Sequence, residues 1–468
     1  MKRRMIAFAA AAALLTGFAP VSPDMFVHAE NCTAVKDESG LYILVYSDRA
    51  EVSSVWNEQE SYEIPAKVND LPVTAINDSV FYFNNTVKSI VIPSSVKTIA
   101  EKAFYSCNLL ESVTFSEGLE TISAQAFANC SSLLNITIPG SVTSVEKEAF
   151  YDCNALKTLT FAEGEGCVIG ENAFEACDAL HTVTMESGVT EIQAGAFCSC
   201  SALENLTLSD TLKTISNSFQ GCPKLEKVDL PDSLSSLHSM AFYNSAVCTE
   251  QIDVLIYVDD WVVDCNTDVA KATIKEGTRG IAQNAFYDCG NMTTLTIPEG
   301  VKIIDTNAFA ECSSLLNLQL PATIEEIDSN AFNYCNSITS LTLPESTKVI
   351  AQQAFDNMDH LNEITILSKE CSIYPSADTI PSDAAIKGYP GSSAQSYADT
   401  FGRAFTALET TDPTVPDITL PLTPDVNQDG GIDAIDAAWL LQYAAATGAG
   451  YTGSIEDFVI EKMQNSAA

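Results

Sequence analysis

Near the end of the chain, acidic and amide residues recur at the spacing that a calcium-binding loop needs. In DVNQDGGIDAID, loop positions 1, 3, 5, 7, 9 and 12 fall on Asp425, Asn427, Asp429, Gly431, Asp433 and Asp436. Oxygen ligands at this spacing suit Ca²⁺, glycine at position 6 allows the sharp turn, and Gly431 supplies a backbone carbonyl. The alternative is an acidic turn that caps a helix. Five oxygen side chains in phase favour one Ca²⁺ site.

The residues at and after the end of this loop resemble those of a type I dockerin. Aspartate rather than glutamate stands at position 12, and AAWLLQYAA follows it. The resemblance implies a small α-helical, EF-hand-like module at residues 425–468 that binds a cohesin on a cellulosome-type scaffold protein. Its candidate cohesin contacts are Ala434, Ile435, Leu441 and Gln442. Dockerins carry two such loops, whereas GAGYTGSIEDF further along has no ligand set, so we expect a single Ca²⁺.

The rest of the chain shows no arrangement typical of catalysis. Beyond the N-terminal leader its only histidines are His181, His238 and His360, and no glycine-flanked serine elbow occurs. Carboxylates are too numerous to single out a catalytic pair. The formal net charge of −39 repels nucleic acid and anionic lipid. We therefore expect a protein that is not an enzyme and that has no nucleic-acid partner.

The dominant feature of the sequence is a repeat of 22 to 24 residues, interrupted by one step of 44. Each copy has a phenylalanine, usually a cysteine three residues later, and then apolar residues at spacing L-x-x-L-x-L. The phenylalanines are Phe81, Phe104, Phe127, Phe150, Phe174, Phe197, Phe219, Phe242, Phe286, Phe309, Phe332 and Phe355. One repeat cannot bury its apolar side alone. The copies must therefore stack, with equivalent residues about 4.8 Å apart.

The repeats resemble those of the BspA-like leucine-rich repeat family. The motif is clearest in NAFAECSSLLNLQLP, at 307–321, and the resemblance extends over about residues 62–408. It implies a leucine-rich repeat solenoid, a β-rich mixed α/β fold with a parallel ladder, short second strands, and short helices or turns. KGYPGSSAQSYA, near residue 393, resembles the terminal cap of such domains.

The remaining segments fit around this array. Residues 1–29 have a basic start and an apolar run too short to span a bilayer, which indicates a secretory signal peptide. No later segment is apolar enough to span a membrane, so we expect a secreted, extracellular protein without a transmembrane segment.

We assign residues 30–80 to an N-terminal cap, 81–371 to the solenoid, 372–410 to a C-terminal cap with a short helix near Ser393–Phe401, and 411–424 to a Pro/Thr-rich linker.

The 44-residue step contains an insertion near residues 250–265. Two β-rich runs in QIDVLIYVDDWVVDC flank Asp259 and Asp260, which predicts a hairpin. Tyr257 and Trp261 on this hairpin have two possible roles. They either pack on the solenoid or, if exposed, form a candidate interaction site for a protein partner.

Threonine recurs between the last two apolar positions of the main strand. The positions are Thr114, Thr137, Thr160, Thr184, Thr207, Thr273, Thr296, Thr342 and Thr365. A neighbouring polar column comprises Ser112, Asn135, Thr158, Thr182, Asn205, Thr294, Asn317 and Ser340. Both columns are expected to face outward. They either reflect the β-propensity of an exposed strand face or form a flat binding surface lined by hydroxyl groups.

Nine of the fifteen cysteines recur at one repeat position. Side chains stacked at strand spacing hold their Cβ atoms too far apart for disulfide bonds between neighbours. We interpret them as small buried apolar groups. A metal site is the alternative, but it needs ligands that converge on one point.

The interpretation that accounts for most of the sequence is a secreted, non-catalytic binding protein. Its repeat surface would recognise an unknown protein or glycan, and its tail would dock to a cohesin-bearing scaffold. Two alternatives stay open: a free or surface-associated adhesin whose tail does not bind cohesin, and a polysaccharide-degrading accessory enzyme.

Overall fold

The computed structural model describes residues 32–249, 254–316 and 318–409. The chain divides into two compact units, Met1–Thr406 and Ala407–Ala468. The signal peptide, the linker and the calcium module predicted from the sequence lie outside the described residues. The first unit is a leucine-rich repeat β-solenoid of about 15 turns, mostly β with few helices.

Short strands are the main regular element of the described residues. Before the insertion they are β1 (Thr33–Lys36), β2 (Leu41–Val45), β3 (Ala50–Val55), β4 (Ser61–Glu63), β5 (Lys67–Val68), β6 (Leu71–Ile76), β7 (Ser89–Ile92), β8 (Thr98–Ile99), β9 (Ser112–Phe115), β10 (Thr121–Ile122), β11 (Asn135–Ile138), β12 (Ser144–Val145), β13 (Thr158–Phe161), β14 (Cys167–Ile169), β15 (Thr182–Met185), β16 (Val189–Ile192), β17 (Asn205–Thr207), β18 (Thr214–Ile215) and β19 (Ser236–Leu237).

A short helix, α1 (Ala246–Thr249), then leads to the remaining elements. These are β20 (Leu255–Val258), β21 (Trp261–Cys265), β22 (Lys271–Thr273), β23 (Gly280–Ile281), β24 (Thr294–Thr296), β25 (Ile303–Ile304), β26 (Glu326–Ile327), β27 (Ser340–Leu343), β28 (Val349–Ile350), β29 (Glu363–Ile366), β30 (Ser372–Ile373), β31 (Ala385–Gly388), α2 (Ser393–Phe401) and β32 (Phe405–Ala407).

Two kinds of strand alternate along the solenoid and form separate ladders. The longer strands pair as β4-β7-β9-β11-β13-β15-β17 before the insertion, and as β22-β24 and β27-β29-β31-β32 after it. The shorter strands pair as β3-β6-β8-β10-β12-β14-β16-β18-β19, extended at the N-terminal end by β2 and β1, and then as β20-β21-β23-β25-β26-β28-β30. The parallel pairing of successive turns confirms the solenoid predicted from the repeat.

The phenylalanines form the centre of the core. They are almost fully buried, and consecutive rings stack with centroids 4.8 to 5.6 Å apart. This separation is close to the spacing of neighbouring strands, so each ring lies over the ring of the preceding turn. The stack runs from Phe81 to Phe242 and from Phe286 to Phe355. The insertion separates the two runs.

Left-handed residues position these rings, with one on each side of most of the phenylalanines and a single one beside Phe219 and Phe242. Around Phe104, for example, Lys102 has φ 57° and Ser106 has φ 55°, and around Phe174 the pair is Asn172 and Ala176. These residues turn the backbone on either side of the phenylalanine, whose ring is buried in the core. Residues other than glycine and asparagine adopt this conformation at a cost of about 1 kcal/mol each. The burial of the ring offsets that cost.

The insertion forms the predicted hairpin, and the hairpin extends the short-strand ladder. β20 and β21 pair antiparallel, and β21 pairs parallel with β23 through Trp261 opposite Gly280 and Val262 opposite Ile281. The Gly280 backbone packs directly against the Trp261 ring, because a Cβ at this position would lie 2.5 Å from an indole carbon. The hairpin is therefore part of the solenoid core.

A buried carboxylate joins the strands on the two sides of the insertion. The Gln283 amide donates to the Leu237 carbonyl at 2.8 Å. The Leu237 amide donates to Asp305 Oδ2 at 2.8 Å, and the Thr306 amide donates to Asp305 Oδ1 at 2.7 Å. Asp305 has no exposed surface. In the regular ladder, a carbonyl of the next strand accepts the hydrogen bond from the amide at this position. Here the Asp305 carboxylate accepts it from the Leu237 amide instead.

Helix α2 covers the C-terminal end of the array. Ser392 caps its N-terminus by accepting from the Gln395 amide, and Gly402 in the left-handed conformation ends it. Both are preferred residues at these positions. Ala394, Tyr397 and Ala398 are its buried residues. The helix therefore shields the last turn of the solenoid from solvent.

Candidate functional site

The threonine column lies on the longer strands of the solenoid and faces outward. Thr137, Thr160, Thr184 and Thr207 are direct partners on successive strands. Thr273 pairs with Thr296, and Thr342 pairs with Thr365. Thr114, Thr137, Thr207, Thr273, Thr296 and Thr342 are exposed, and Thr160, Thr184 and Thr365 are partly exposed. The strands alternate buried and exposed residues, which leaves the hydroxyl groups on one face.

The neighbouring polar column shares this face, which we call the threonine face. Its members Ser112, Asn135, Thr158, Thr182, Asn205, Thr294 and Ser340 are exposed or partly exposed, while Asn317 lies outside the described residues. The Thr158 hydroxyl donates to Asn135 Oδ1 at 2.6 Å. Asn205 Nδ2 lies 3.3 Å from His181 Nε2. Polar side chains thus cross-link neighbouring turns and orient hydrogen-bonding groups toward solvent.

The hairpin does not offer the exposed aromatic surface considered from the sequence. Trp261 has no exposed surface; it packs on Gly280 and lies under the Arg279 guanidinium at 5.7 Å. Tyr257 is partly exposed and accepts a hydrogen bond from the Lys275 amide at 3.1 Å. The Lys275 ammonium also lies 4.3 Å from the centre of its ring. Of the two interpretations, packing is therefore the one that the structure favours for Trp261.

Arg279 fixes the hairpin in this position. Its guanidinium forms an ion pair with Asp260 at 2.8 Å and donates to the carbonyls of Pro231, Asp232 and Leu234. Those carbonyls belong to the last turn before the insertion. One arginine therefore ties the hairpin to the solenoid on both sides, which explains why the insertion is held against the core.

An exposed aromatic cluster near the N-terminal end was missed from the sequence. Tyr82 is 46% exposed and Phe83 is 53% exposed. The rings of Tyr82 and Tyr105 stack at 5.2 Å, and Phe83 meets both edge-on. Tyr151 occupies the same repeat position as Tyr105, two turns further along. The signal in the sequence is tyrosine directly after the repeat phenylalanine, a position that the repeat turns toward solvent.

The repeat cysteines are buried thiols with a regular hydrogen-bond partner. Eight of the nine donate to the carbonyl of the phenylalanine in the preceding repeat, as Cys107 does to Phe81 at 3.0 Å and Cys335 to Phe309 at 3.1 Å. The nine repeat cysteines are free thiols. Burial raises the pKa of Cys177 and of Cys335 to about 12. These thiols are therefore protonated structural groups, and they are more than the apolar spacers that the sequence suggested.

The three histidines in the described part of the chain do not form a catalytic arrangement with a nucleophile. His360 is exposed and its Nδ1 lies 2.7 Å from the Asn336 carbonyl. His181 is exposed, with Nδ1 3.7 Å from a Glu204 carboxylate oxygen. Burial lowers the pKa of His238, whose ring accepts from the Met240 amide. Each histidine therefore has a local partner within the repeat framework.

The predicted calcium ligands cannot be placed. Asp425, Asn427, Asp429, Gly431, Asp433 and Asp436, and the cohesin-contact candidates Ala434, Ile435, Leu441 and Gln442, lie outside the described residues. Within residues 32–249, 254–316 and 318–409, no group of three or more His, Cys, Asp or Glu side chains could hold a metal ion. No helix in that same part of the chain is long and apolar enough to cross a membrane.

Comparison with protein families identifies the repeat. The model of the BspA type leucine-rich repeat region matches residues 74–165, 167–254 and 264–377, in six copies. Together these ranges cover more than half of the chain. A comparison with curated proteins finds no significant match.

Several solved structures are also similar to this chain. A leucine-rich cell surface protein from Faecalibacterium prausnitzii A2-165 shares 26% identity at a TM-score of 0.39, with 82% of this chain and 97% of that chain covered. A leucine-rich repeat protein from Bacteroides ovatus ATCC 8483 shares 22% identity at a TM-score of 0.33, with 78% and 100% covered. The pneumococcal vaccine antigen PcpA shares 19% identity at a TM-score of 0.32, with 81% and 100% covered.

Proposed function

Because this chain belongs to the BspA-type leucine-rich repeat family, we propose that it is an extracellular, non-catalytic binding protein that recognises a protein or a glycan through the threonine face. Membership of this family favours a repeat-based binding role, and no catalytic family is indicated. The described residues of the solenoid supply surface and rigidity rather than a reactive group.

The observation that carries this proposal is the register of the threonine face. Thr137, Thr160, Thr184 and Thr207 pair directly across four parallel strands. At about 4.8 Å per strand, this column alone extends about 14 Å. The surface carries hydroxyl and amide groups at a fixed repeat. Such a surface suits an extended ligand with repeated hydrogen-bonding groups, such as a protein segment or an oligosaccharide.

The test is a binding screen with a matched pair of variants. The full chain is probed on arrays of glycans and extracellular-matrix proteins, and each hit is repeated with Thr137→Arg/Thr184→Arg. The control is Thr121→Arg/Thr214→Arg, which places the same change on the short-strand ladder, where both threonines are partly exposed. We expect the first variant to lose binding and the control to keep it. Equal binding by both variants would refute the threonine face as the binding site.

For the tail, we propose one Ca²⁺ site and docking to a cohesin-bearing scaffold. Five oxygen side chains at loop positions 1, 3, 5, 9 and 12 support the calcium site, and the resemblance of the following residues to a dockerin supports the docking. A pull-down of the full chain with a panel of cohesins separates this proposal from a free adhesin. Capture by a cohesin that is lost on chelation of Ca²⁺ supports docking, and no capture by any cohesin favours the adhesin.

A further inference from the structure

Two asparagines of the threonine face are oriented by different kinds of partner. Asn135 and Asn205 occupy the same position of the neighbouring polar column, three turns apart, and both are exposed. The Thr158 hydroxyl donates to Asn135 Oδ1 at 2.6 Å. Asn205 instead has its Nδ2 3.3 Å from His181 Nε2. One amide is therefore held through its oxygen and the other through its nitrogen.

The contact between Asn205 and His181 determines which ring nitrogen carries the proton. The nitrogen of a side-chain amide can only donate, so Nε2 of His181 accepts and the neutral ring has its proton on Nδ1. Nδ1 lies 3.4 Å from the Ala202 carbonyl oxygen, which accepts from it. The ring thus takes the donor side of the Asn205 amide, whereas Thr158 takes the acceptor side of the Asn135 amide.

Charged side chains also surround the His181 ring. Glu204 Oε2 lies 3.7 Å from His181 Nδ1, and Glu204 Oε1 lies 3.4 Å from the Lys224 ammonium on the next turn. Lys157 occupies the same repeat position as His181 one turn earlier, and its carbonyl accepts from the His181 amide at 2.9 Å. Asp178 lies in the loop that leads to His181. Because the neutral ring already has its proton on Nδ1, the second proton is added at Nε2.

We propose that His181 makes ligand binding at the threonine face depend on pH, because its protonation reverses the side-chain amide of Asn205. The proposal rests on the threonine face being the binding surface. Histidine is the side chain that changes charge between about pH 8 and about pH 5. Both nitrogens of the protonated ring are donors, so the Nε2 proton would point at the NH₂ group of Asn205. Two donors cannot share a hydrogen bond. The amide therefore turns over, and Oδ1 of Asn205 accepts from Nε2.

This rotation changes the groups that the threonine face offers to a ligand. With a neutral His181, the Asn205 amide directs its oxygen away from the ring, and with a protonated His181 it directs its NH₂ group there instead. Asn135 keeps one orientation, since the Thr158 hydroxyl does not titrate in this range. A ligand that matches one orientation of Asn205 meets the wrong group in the other. A polar group left unpaired in this way lowers affinity by about tenfold or more.

NMR of the full chain tests the reorientation without a ligand. The chain is labelled with ¹⁵N at histidine and asparagine, and spectra are recorded from about pH 8 to about pH 5. Loss of signal in His181→Gln, Asn205→Ser and Asn135→Ser assigns the ring and the two amides. We expect Nδ1 of His181 to carry the proton at high pH. The side-chain amide signals of Asn205 should shift in one step that coincides with the titration of the ring, and those of the matched control Asn135 should not follow that step.

The variant His181→Gln isolates the contribution of the ring. Glutamine does not titrate, so the step in the Asn205 signals should disappear; should this variant fail to fold, His181→Asn serves the same purpose. Asn205 signals that stay constant while the ring titrates would overturn the proposal. A step that persists without the histidine would do the same, as would a neutral ring with its proton on Nε2.

The effect on binding is tested with any array ligand that Thr137→Arg/Thr184→Arg fails to bind. Its affinity for the natural chain should differ by about tenfold or more between about pH 8 and about pH 5, and the difference should shrink in His181→Gln. The same pH dependence in both chains would overturn the regulation and leave the threonine face as the binding surface. If no such ligand is found, the proposed function is refuted and the regulation with it, while the NMR titration still decides whether the amide reorients.

Discussion

Replacing Asp305 by asparagine should change how the stability of the solenoid depends on pH. Burial raises the pKa of this carboxyl from 3.8 to about 7, against the opposing effect of hydrogen bonds from Thr306, Leu237 and Ser236. The nearby Asp328 carboxylate raises it further. Between these two pH values the native state binds a proton that the unfolded state has released. The free energy of unfolding therefore falls as pH rises from about 4 to about 7.

The size of the effect follows from the same values. A rise from 3.8 to about 7 corresponds to about 4 kcal/mol, at 1.36 kcal/mol for each pH unit. Asparagine keeps an oxygen that can accept from the Leu237 amide but does not titrate. The difference in unfolding free energy between Asp305→Asn and the natural chain should thus move in favour of the variant by about 4 kcal/mol between pH 4 and pH 8. Any cost of the amide that is independent of pH cancels.

Urea unfolding followed by tryptophan fluorescence is a suitable assay, because Trp261 is buried in the hairpin next to this junction. Both chains are unfolded at several pH values from 4 to 8. Asp328→Asn is the matched control, since it is the same repeat position one turn along and is partly exposed. It should keep most of the pH dependence of the natural chain. If the difference between Asp305→Asn and the natural chain is the same at every pH, the buried carboxylate does not titrate as argued.

Three further changes test the core, the turns and the tail. Phe309 stacks between Phe286 at 5.0 Å and Phe332 at 5.2 Å, so Phe309→Ala should lower the free energy of unfolding by about 3 to 5 kcal/mol; a loss below about 1 kcal/mol in denaturant titration would contradict a core role. Ala176 has φ 57°, so Ala176→Gly should stabilise the fold by up to about 1 kcal/mol, and destabilisation by that variant would show that the turn is not strained. Calorimetry of the full chain should give one Ca²⁺ per molecule at micromolar to millimolar Ca²⁺ and none for Asp429→Ala; a stoichiometry near two, or unchanged binding by the variant, would refute the single site.

The regular part of the fold could be predicted from the sequence because one short period determines it. The spacing of the phenylalanines indicated which residues stack, and the alternation around Thr137 and Thr160 indicated which face is exposed. Both follow from local geometry that repeats in every turn. The partners of the cysteines could not be predicted in this way. Their hydrogen bonds join residues of different repeats, and the spacing of a column does not reveal which carbonyl each thiol meets.

The contacts at the insertion could not be predicted from the sequence for a related reason. Asp305 occupies an ordinary repeat position, and only the displaced strands on either side make it a buried acceptor for Leu237. Trp261 was assigned to a hairpin, but its burial depends on Gly280, which lies in a different strand. Where the period breaks, contacts depend on how two non-equivalent segments meet, and a pattern within one segment does not contain that information. The signals for the exposed tyrosines were present but lay outside the apolar pattern.

The interruption of the phenylalanine stack also bears on how the solenoid comes apart. In a repeat protein, each turn is stabilised chiefly by its immediate neighbours, and the spread of folding along the array depends on those contacts. Ring stacking links every turn from Phe81 to Phe242 and every turn from Phe286 to Phe355. Between these runs the link depends on Arg279, Asp305 and the hairpin. A chain that is held at one end while its ligand is pulled is under mechanical tension. The solenoid should then extend in two steps, whose lengths correspond to the two runs of stacked phenylalanines.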